Sequence, residues 1–263
     1  MVIIIRYAEI ALKGKNRAVF EKRLVSNIAD AFKKNNAAYD EISRVPGRIL
    51  VYAEKADFLK NVFGISSFSY AQELDFDIEK IKKKALEMIK DKQFESFRVT
   101  STRSDKSLPI TSMELDKKIG GFLAVQLNKR VSLKEFDLEL CIDLINGKAF
   151  AYFERTDGYG GLPLGVEGKV CAQVNDEKDL LAAWYMMRRG CEVVLTGKQI
   201  DYSWLEKFAY GQELGYGSGD SCLAIATGQL IDEIADVDSD LTLLRPLIVF
   251  TKQQVEEKIN ELK

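Results

Sequence analysis

Between Thr156 and Gly168 the chain places five glycines and a proline within thirteen residues, centred on Gly158-Tyr159-Gly160-Gly161-Leu162-Pro163. Glycine loses the most backbone freedom on ordering and proline removes a donor, so regular structure does not survive at that density. The stretch marks a domain boundary, and the hydrophobic pattern differs on its two sides.

Before the boundary the pattern is α+β. Val2-Ile3-Ile4-Ile5-Arg6-Tyr7 reads as a buried strand, and Val19, Phe20, Leu24, Ile28 and Phe32 recur at helical spacing over residues 16–32. A strand follows Pro46-Gly47 over 48–53, then a short helix over 55–62 and a third strand over 66–71, which closes a first small unit near residue 60–70. A helix over 77–90, a strand over 97–101 and a helix over 112–127 that Ser112 is placed to cap come next. Strands over 137–143 and 148–153 then flank Asn146-Gly147, the strongest short hairpin signal.

Beyond the boundary strands alternate with helices: strand 169–174, helix 179–189, strand 192–195, helix 203–211, strand 223–226, a further helix, and a last strand 247–250 leading into a helix from Thr251. Such alternation specifies a parallel α/β layer.

The length of 263 residues fits two or three hydrophobic cores better than one, and 46% hydrophobic with 30% charged residues is an ordinary globular composition. The apolar run Val2 to Ile5 is too short for a signal-peptide core, and no stretch approaches a membrane span, so a cytoplasmic protein is expected. Histidine is absent, which excludes a histidine base, a Ser-His-Asp triad and a histidine-bound metal. Cys141, Cys171, Cys191 and Cys222 form no close pair, so reduced core thiols are expected.

The net charge of −2 conceals an asymmetry. Residues 201–263 hold twelve acidic and five basic side chains, which leaves 33 basic against 28 acidic in residues 1–200. A polyanion senses the potential within about 10 Å, so the front of the chain is compatible with a nucleic-acid partner.

Two basic clusters stand out. Lys13, Lys15, Asn16 and Arg17 precede the first helix, where unpaired N–H groups and flanking cations suit a phosphate, although the same residues also make an ordinary solvated helix face. Arg98, Arg103 and Lys106 border the polar loop Ser101 to Pro109, another phosphate cradle or an inert loop. Lys129 and Arg130, after the helix that follows, and Arg48 complete the candidate RNA-contacting set. Asp236, Asp238 and Asp240 alternate as in a calcium loop, but Leu241 and Leu247 stand where a glycine and a glutamate are needed, so no metal is expected. Gly215 to Gly219 lacks the ending of a nucleotide P-loop and reads as a turn.

Arg6 to Arg17, Arg103-Ser104-Asp105-Lys106-Ser107, Gly158 to Gly165 and Leu244-Arg245-Pro246-Leu247-Ile248 together resemble the tRNA sulfurtransferases that make 4-thiouridine. The resemblance implies an α+β N-terminal half, made of a ferredoxin-like domain (1–70) and a THUMP domain (71–165), followed by a small α/β parallel-sheet domain of PP-loop pyrophosphatase type (166–263) that is truncated. It also implies a tRNA partner gripped at its acceptor end by the first two domains, and a homodimer.

The third domain departs from that family. Where the family carries Ser-Gly-Gly-x-Asp-Ser to hold ATP phosphates, the ungapped positions here are Val174, Asn175, Asp176, Glu177, Lys178 and Asp179. Loss of both glycines blocks close backbone approach, and three carboxylates repel a pyrophosphate. The expectation is a tRNA-binding relative without intact pyrophosphatase chemistry, with no catalytic residue and no cofactor, which supplies RNA affinity to a partner modification enzyme. The alternatives are an active sulfurtransferase that binds ATP through Lys169, Lys178 or Lys198 and a structural protein whose basic front is merely solvated. Gly228-Gln229 resembles a family Gly-Gln as well as an ordinary helix start, and Cys222 is the thiol nearest a cleft.

Overall fold

The computed structural model describes residues 1–104, 109–235, 237 and 239–263. In chain order the front elements are β1 (Val2–Arg6), α1 (Arg17–Lys34), β2 (Glu41–Val45), β3 (Arg48–Tyr52), β4 (Ser67–Asp75), α2 (Ile78–Ile89), β5 (Ser96–Arg103), α3 (Ser112–Leu127), β6 (Arg130–Val131), β7 (Leu138–Ile145), β8 (Lys148–Tyr152) and β9 (Thr156–Asp157). They are followed by β10 (Lys169–Val174), α4 (Glu177–Arg188), β11 (Glu192–Gly197), α5 (Ser203–Glu206), β12 (Ala224–Ala226), β13 (Thr242–Leu244) and α6 (Lys252–Leu262). Contacts divide the chain into two compact units: Met1–Arg6, Tyr39–Lys55 and Phe68–Thr156 form one, and Tyr7–Ala38, Ala56–Ser67 and Asp157–Lys263 form the other.

The first unit is built on one sheet in the order β2-β3-β1-β4-β8-β7-β5-β6. β1 and β3 pair antiparallel, β5 and β7 parallel, and β4 joins the ferredoxin-like strands to the rest through β8. Ile81, Ala85 and Ile89 of α2 and Leu115, Ile119 and Leu123 of α3 recur every fourth residue, so each helix turns one apolar stripe into a core with Phe97, Leu140 and Ile142 of the sheet. The hairpin turns at Asn146 and Gly147, both at positive φ as a type I′ turn demands. Thr111 rather than Ser112 caps α3, in a reciprocal capping box with Glu114, and the edge strand β2 was not foreseen because its alternation is half polar.

The second unit holds a parallel sheet in the order β11-β10-β12-β13. Leu180, Leu181, Ala183, Trp184 and Met187 of α4 pack in its core, where Trp184, Phe208 and Phe63 meet ring to ring. The glycine-rich segment is a packed connection here. Leu162 N–H donates to the Arg188 carbonyl, and a Cβ on Gly161 would lie 2.2 Å from that same oxygen, so only glycine fits. Helix α1 belongs to this unit: Arg23 and Asn27 donate to the Leu164 carbonyl at 2.7 and 3.0 Å, and Arg23 reaches the Gly211 carbonyl at 2.9 Å.

Three expectations for this unit are corrected. Residues 247–250 form turns and not a strand, because Pro246 precedes them, Thr251 caps α6 immediately after, and Leu247 alone is buried; the last strand is β13. In place of a helix after β12 there is a single 3₁₀ turn, Ile231–Glu233. Cys171 and Cys222 are joined in a disulfide with Cα atoms 5.6 Å apart, while Cys141 and Cys191 are free. The pair is 51 residues apart in sequence, but the turn that enters β12, with the Cys222 N–H on the Gly219 carbonyl and the Leu223 N–H on the Lys169 carbonyl, folds Cys222 back beside β10 and Cys171. Among the described residues no helix is long and apolar enough to cross a membrane.

Candidate functional site

In the second unit β10 ends at Val174 and β12 at Ala226, side by side and parallel, while β11 flanks β10 on its other side. The chain leaves the sheet in opposite directions from these neighbouring strands, and such a switch point opens a crevice beyond the strand ends. A cavity of about 400 Å³ lies there, lined by Gln173, Asn175, Asp176, Lys178, Thr227 and Gln229 among others. The predicted loop positions Val174, Asn175, Asp176, Lys178 and Asp179 are thus gathered at one place, Val174 as the buried end of β10 and the rest at the start of α4.

Asp179 is almost fully buried, 3% exposed. Its Oδ2 accepts from the N–H of Asn175 at 2.8 Å and of Asp176 at 3.3 Å, and its Oδ1 accepts from the Gly228 N–H at 2.6 Å. The carboxylate therefore takes three backbone donors at the positive end of α4, the kind of donors that elsewhere receive phosphate oxygens. Gly228 permits the contact: a Cβ there would sit 2.8 Å from both Asp179 Oδ1 and the Lys178 carbonyl carbon. Sequence reasoning read Asp179 as a repelling charge; its role as an internal ligand was invisible because Gly228 lies 49 residues away.

Asp176 caps α4, with Lys178 N–H at 3.0 Å from its Oδ1. The Lys178 ammonium meets Glu233 at 2.6 Å, which raises the lysine pKa above its ordinary value, while Lys178 first and Lys252 second hold the Glu233 carboxyl below the usual range. Gln229 accepts from Arg245 Nε at 2.8 Å, so two segments quoted for the family resemblance are joined across this cleft. Thr227 is 3% exposed, and its Oγ1 has no hydrogen-bond partner.

In the first unit Arg6 and Asp143 form a buried ion pair at 3.0 Å, with Ser69 at 3.1 Å from Arg6 Nη1 and Thr102 and Tyr152 hydroxyls at 2.6 and 3.2 Å from Asp143 Oδ1. Burial lowers the Arg48 pKa, with Asp143 opposing and Arg6 adding to the effect; Arg155 hydrogen-bonds Tyr152. Three guanidinium groups thus surround one carboxylate on this sheet. The sequence singled out Arg48 alone, since Arg6 reads as a strand end and Arg155 as a loop charge.

The other predicted RNA contacts are dispersed. Lys15 and Asn16 are exposed before α1, whereas Lys13 lies 4.6 Å over the Phe20 ring and 3.8 Å from Glu167. Arg17 donates to Glu21 at 2.7 Å and to the Tyr7 hydroxyl at 2.6 Å, which raises its pKa. Arg98 pairs with Glu139 at 2.6 Å over the Phe136 ring, and Lys129 pairs with Glu95 at 2.9 Å. Arg103 donates to the Ile110 carbonyl at 2.7 Å, Arg130 is exposed on β6, and Lys106 lies outside the described residues, as do Asp105, Asp236 and Asp238. Among the described residues no acidic or cysteine cluster fits a metal ion.

Residues 2–69 match the family model described as ThiI ferredoxin-like domain, and residues 76–154 match the THUMP domain. A probable tRNA sulfurtransferase of Methanocaldococcus jannaschii is 30% identical over 278 aligned residues, covering all of this chain and 67% of the relative. Probable tRNA sulfurtransferases of Thermococcus kodakarensis and Caldanaerobacter subterraneus are 36% and 38% identical over 78% and 73% of this chain. The chain spans only 57% and 52% of the length of those two. Among solved structures, PH1313 from Pyrococcus horikoshii superposes with a TM-score of 0.87 at 30% identity, covering 99% of both chains. A 4-thiouridine synthetase in complex with RNA and ATP superposes with a TM-score of 0.82 at 22% identity over 99% of this chain and 84% of that one, a likeness of fold.

Proposed function

This chain belongs to the tRNA sulfurtransferase family, and from that premise we propose that it is a cytoplasmic tRNA-binding member that does not turn over ATP. Its THUMP-containing front half docks the acceptor end of a tRNA, and the protein works as a homodimer that presents the RNA to a partner modification enzyme. The observation that carries the loss of turnover is the Asp179 carboxylate, which accepts the Asn175, Asp176 and Gly228 N–H groups at the start of α4. A phosphate entering there would displace a bound carboxylate and face Asp176 and Glu233 beside it, against the ammonium of Lys178, with that of Lys252 already engaged by Glu233. Support for RNA docking comes from the THUMP match and from the cationic excess that Arg48 and Arg155 leave around Asp143.

The test combines two measurements on the whole chain. Fluorescence anisotropy of a labelled tRNA, intact and lacking its single-stranded 3′ end, at two salt concentrations is expected to show binding that weakens steeply with salt and with trimming. Incubation with tRNA and ATP is expected to release no pyrophosphate above background; rapid release would refute the proposal.

A further inference from the structure

The cleft at the ends of β10 and β12 keeps three polar side chains uncommitted. The Thr227 hydroxyl is buried without a hydrogen-bond partner, and Gln173 and Asn175 bring side-chain amides to the same cavity of about 400 Å³. The charged groups around them are engaged instead: Asp179 with three backbone N–H groups, Asp176 with the Lys178 N–H, and Lys178 with Glu233. A buried hydroxyl left unpaired costs free energy, and a partner entering the cavity relieves that cost.

We infer that this cleft is a binding site for an uncharged nucleoside or nucleobase, held by Thr227, Gln173 and Asn175, and closed to nucleotide phosphates. Three features give that chemistry. A carboxamide offers a donor and an acceptor side by side, the pattern that reads the edge of a base, and two of them line the cavity. The volume lies within the range of small-molecule sites and is ample for a nucleoside. The charge balance of the lining, Asp176, Asp179 and Glu233 against Lys178, leaves an excess of two negative charges that disfavours an anion. The inference rests on the reading that the loop has given up the nucleotide phosphates, and it adds the ligand that the altered loop admits.

Equilibrium dialysis of the full chain against labelled uridine, adenosine, their 5′-monophosphates and ATP tests it. At least one nucleoside is expected to bind at least tenfold more tightly than its monophosphate and than ATP. Thr227→Val is expected to lose that affinity at least tenfold, while Thr227→Ser, which keeps the hydroxyl, retains it; a melting curve for each variant checks that it folds. Failure of both nucleosides and of the nucleotides to bind overturns this inference and leaves the proposed function standing. Monophosphate or ATP binding as tight as that of the nucleoside overturns this inference and the phosphate exclusion it rests on, while pyrophosphate release remains the separate test of the proposed function. Nucleoside binding unchanged in a folded Thr227→Val protein removes this cleft as the site.

Discussion

The Gly228 amide donates to Asp179 Oδ1 at 2.6 Å, and that bond fastens the chain leaving β12 to the first turn of α4. The bond depends on a missing side chain at one partner and a full charge at the other, so either can be tested.

Gly228→Ala places a methyl 2.8 Å from Asp179 Oδ1 and from the Lys178 carbonyl carbon. Neither group has freedom to retreat, since the carboxylate accepts three hydrogen bonds over its two oxygens and the other is backbone. The variant is expected to lose about 2–3 kcal/mol in urea denaturation, as overpacked sites do. Asp179→Ala, which strands three buried or half-buried N–H groups, is expected to cost a similar amount.

Asp143 accepts from Arg6, Thr102 and Tyr152 in a dry setting, with Arg6 and Asp143 7% and 2% exposed at the side chain. Removing one member leaves an uncompensated buried charge, so Asp143→Ala is expected to destabilise the protein by about 3–5 kcal/mol. A double variant with Arg6→Met should recover much of that loss in the same denaturation assay. A double-variant loss equal to the sum of the Asp143→Ala and Arg6→Met losses would show that the pair is not coupled.

The Cys171–Cys222 bond closes a separation of 51 residues. Chain-entropy reasoning assigns such a loop about 4 kcal/mol, so reduction is expected to lower the melting temperature by about 10 °C. Melting curves with and without reductant, beside Cys222→Ala, check this; a protein indifferent to reductant contradicts it.

The Glu233 carboxyl is held below its ordinary 4.5 mainly by the Lys178 hydrogen bond, and Lys178 is held above its ordinary 10.5 by the same contact. A lowered carboxyl contributes stability above its unfolded pKa and loses it as pH falls through the folded value. A raised ammonium contributes below its unfolded pKa and loses it as pH rises through the folded value. The pair's contribution is therefore a plateau from about pH 5 to 10. Melting temperature against pH should fall less steeply below pH 4.5 for Glu233→Gln than for the parent.

Arg48 and Arg155 leave a cationic excess around Asp143. If that excess meets phosphates, Arg48→Ala/Arg155→Ala weakens tRNA binding by about tenfold and lowers the slope of log affinity against log salt by about 1–2. Anisotropy titrations at three salt concentrations measure both quantities, and an unchanged slope assigns the pair to the sheet alone.

Local signals carried most of the fold into view from sequence. The Asn146-Gly147 turn, the fourfold spacing in α2 and α3, and the strand at 169–174 were legible because each depends on residues within one element. The four motifs identified the family, which no single one of them does. What stayed hidden depends on pairs distant in the chain: Arg6 with Asp143 across 137 positions, Cys171 with Cys222, and Asp179 with Gly228. The altered loop could be recognised by the glycines it lacks, whereas the fate of the vacated N–H groups required knowing what β12 brings beside it.

Helix α1 spends the side chains of Arg23, Asn27 and Lys34 on the carbonyls of Leu164, Ala209, Gly211 and Gln212. During synthesis this early segment leaves the ribosome long before those carbonyls exist. Its apolar side finds early partners, with Phe32 edge to face on Phe58, but these polar side chains wait until more than 200 residues have been made, and the second unit is completed by joining the chain's beginning to a part made near its end. A pause in translation before Gly211 would thus leave the polar side of α1 without its carbonyl partners.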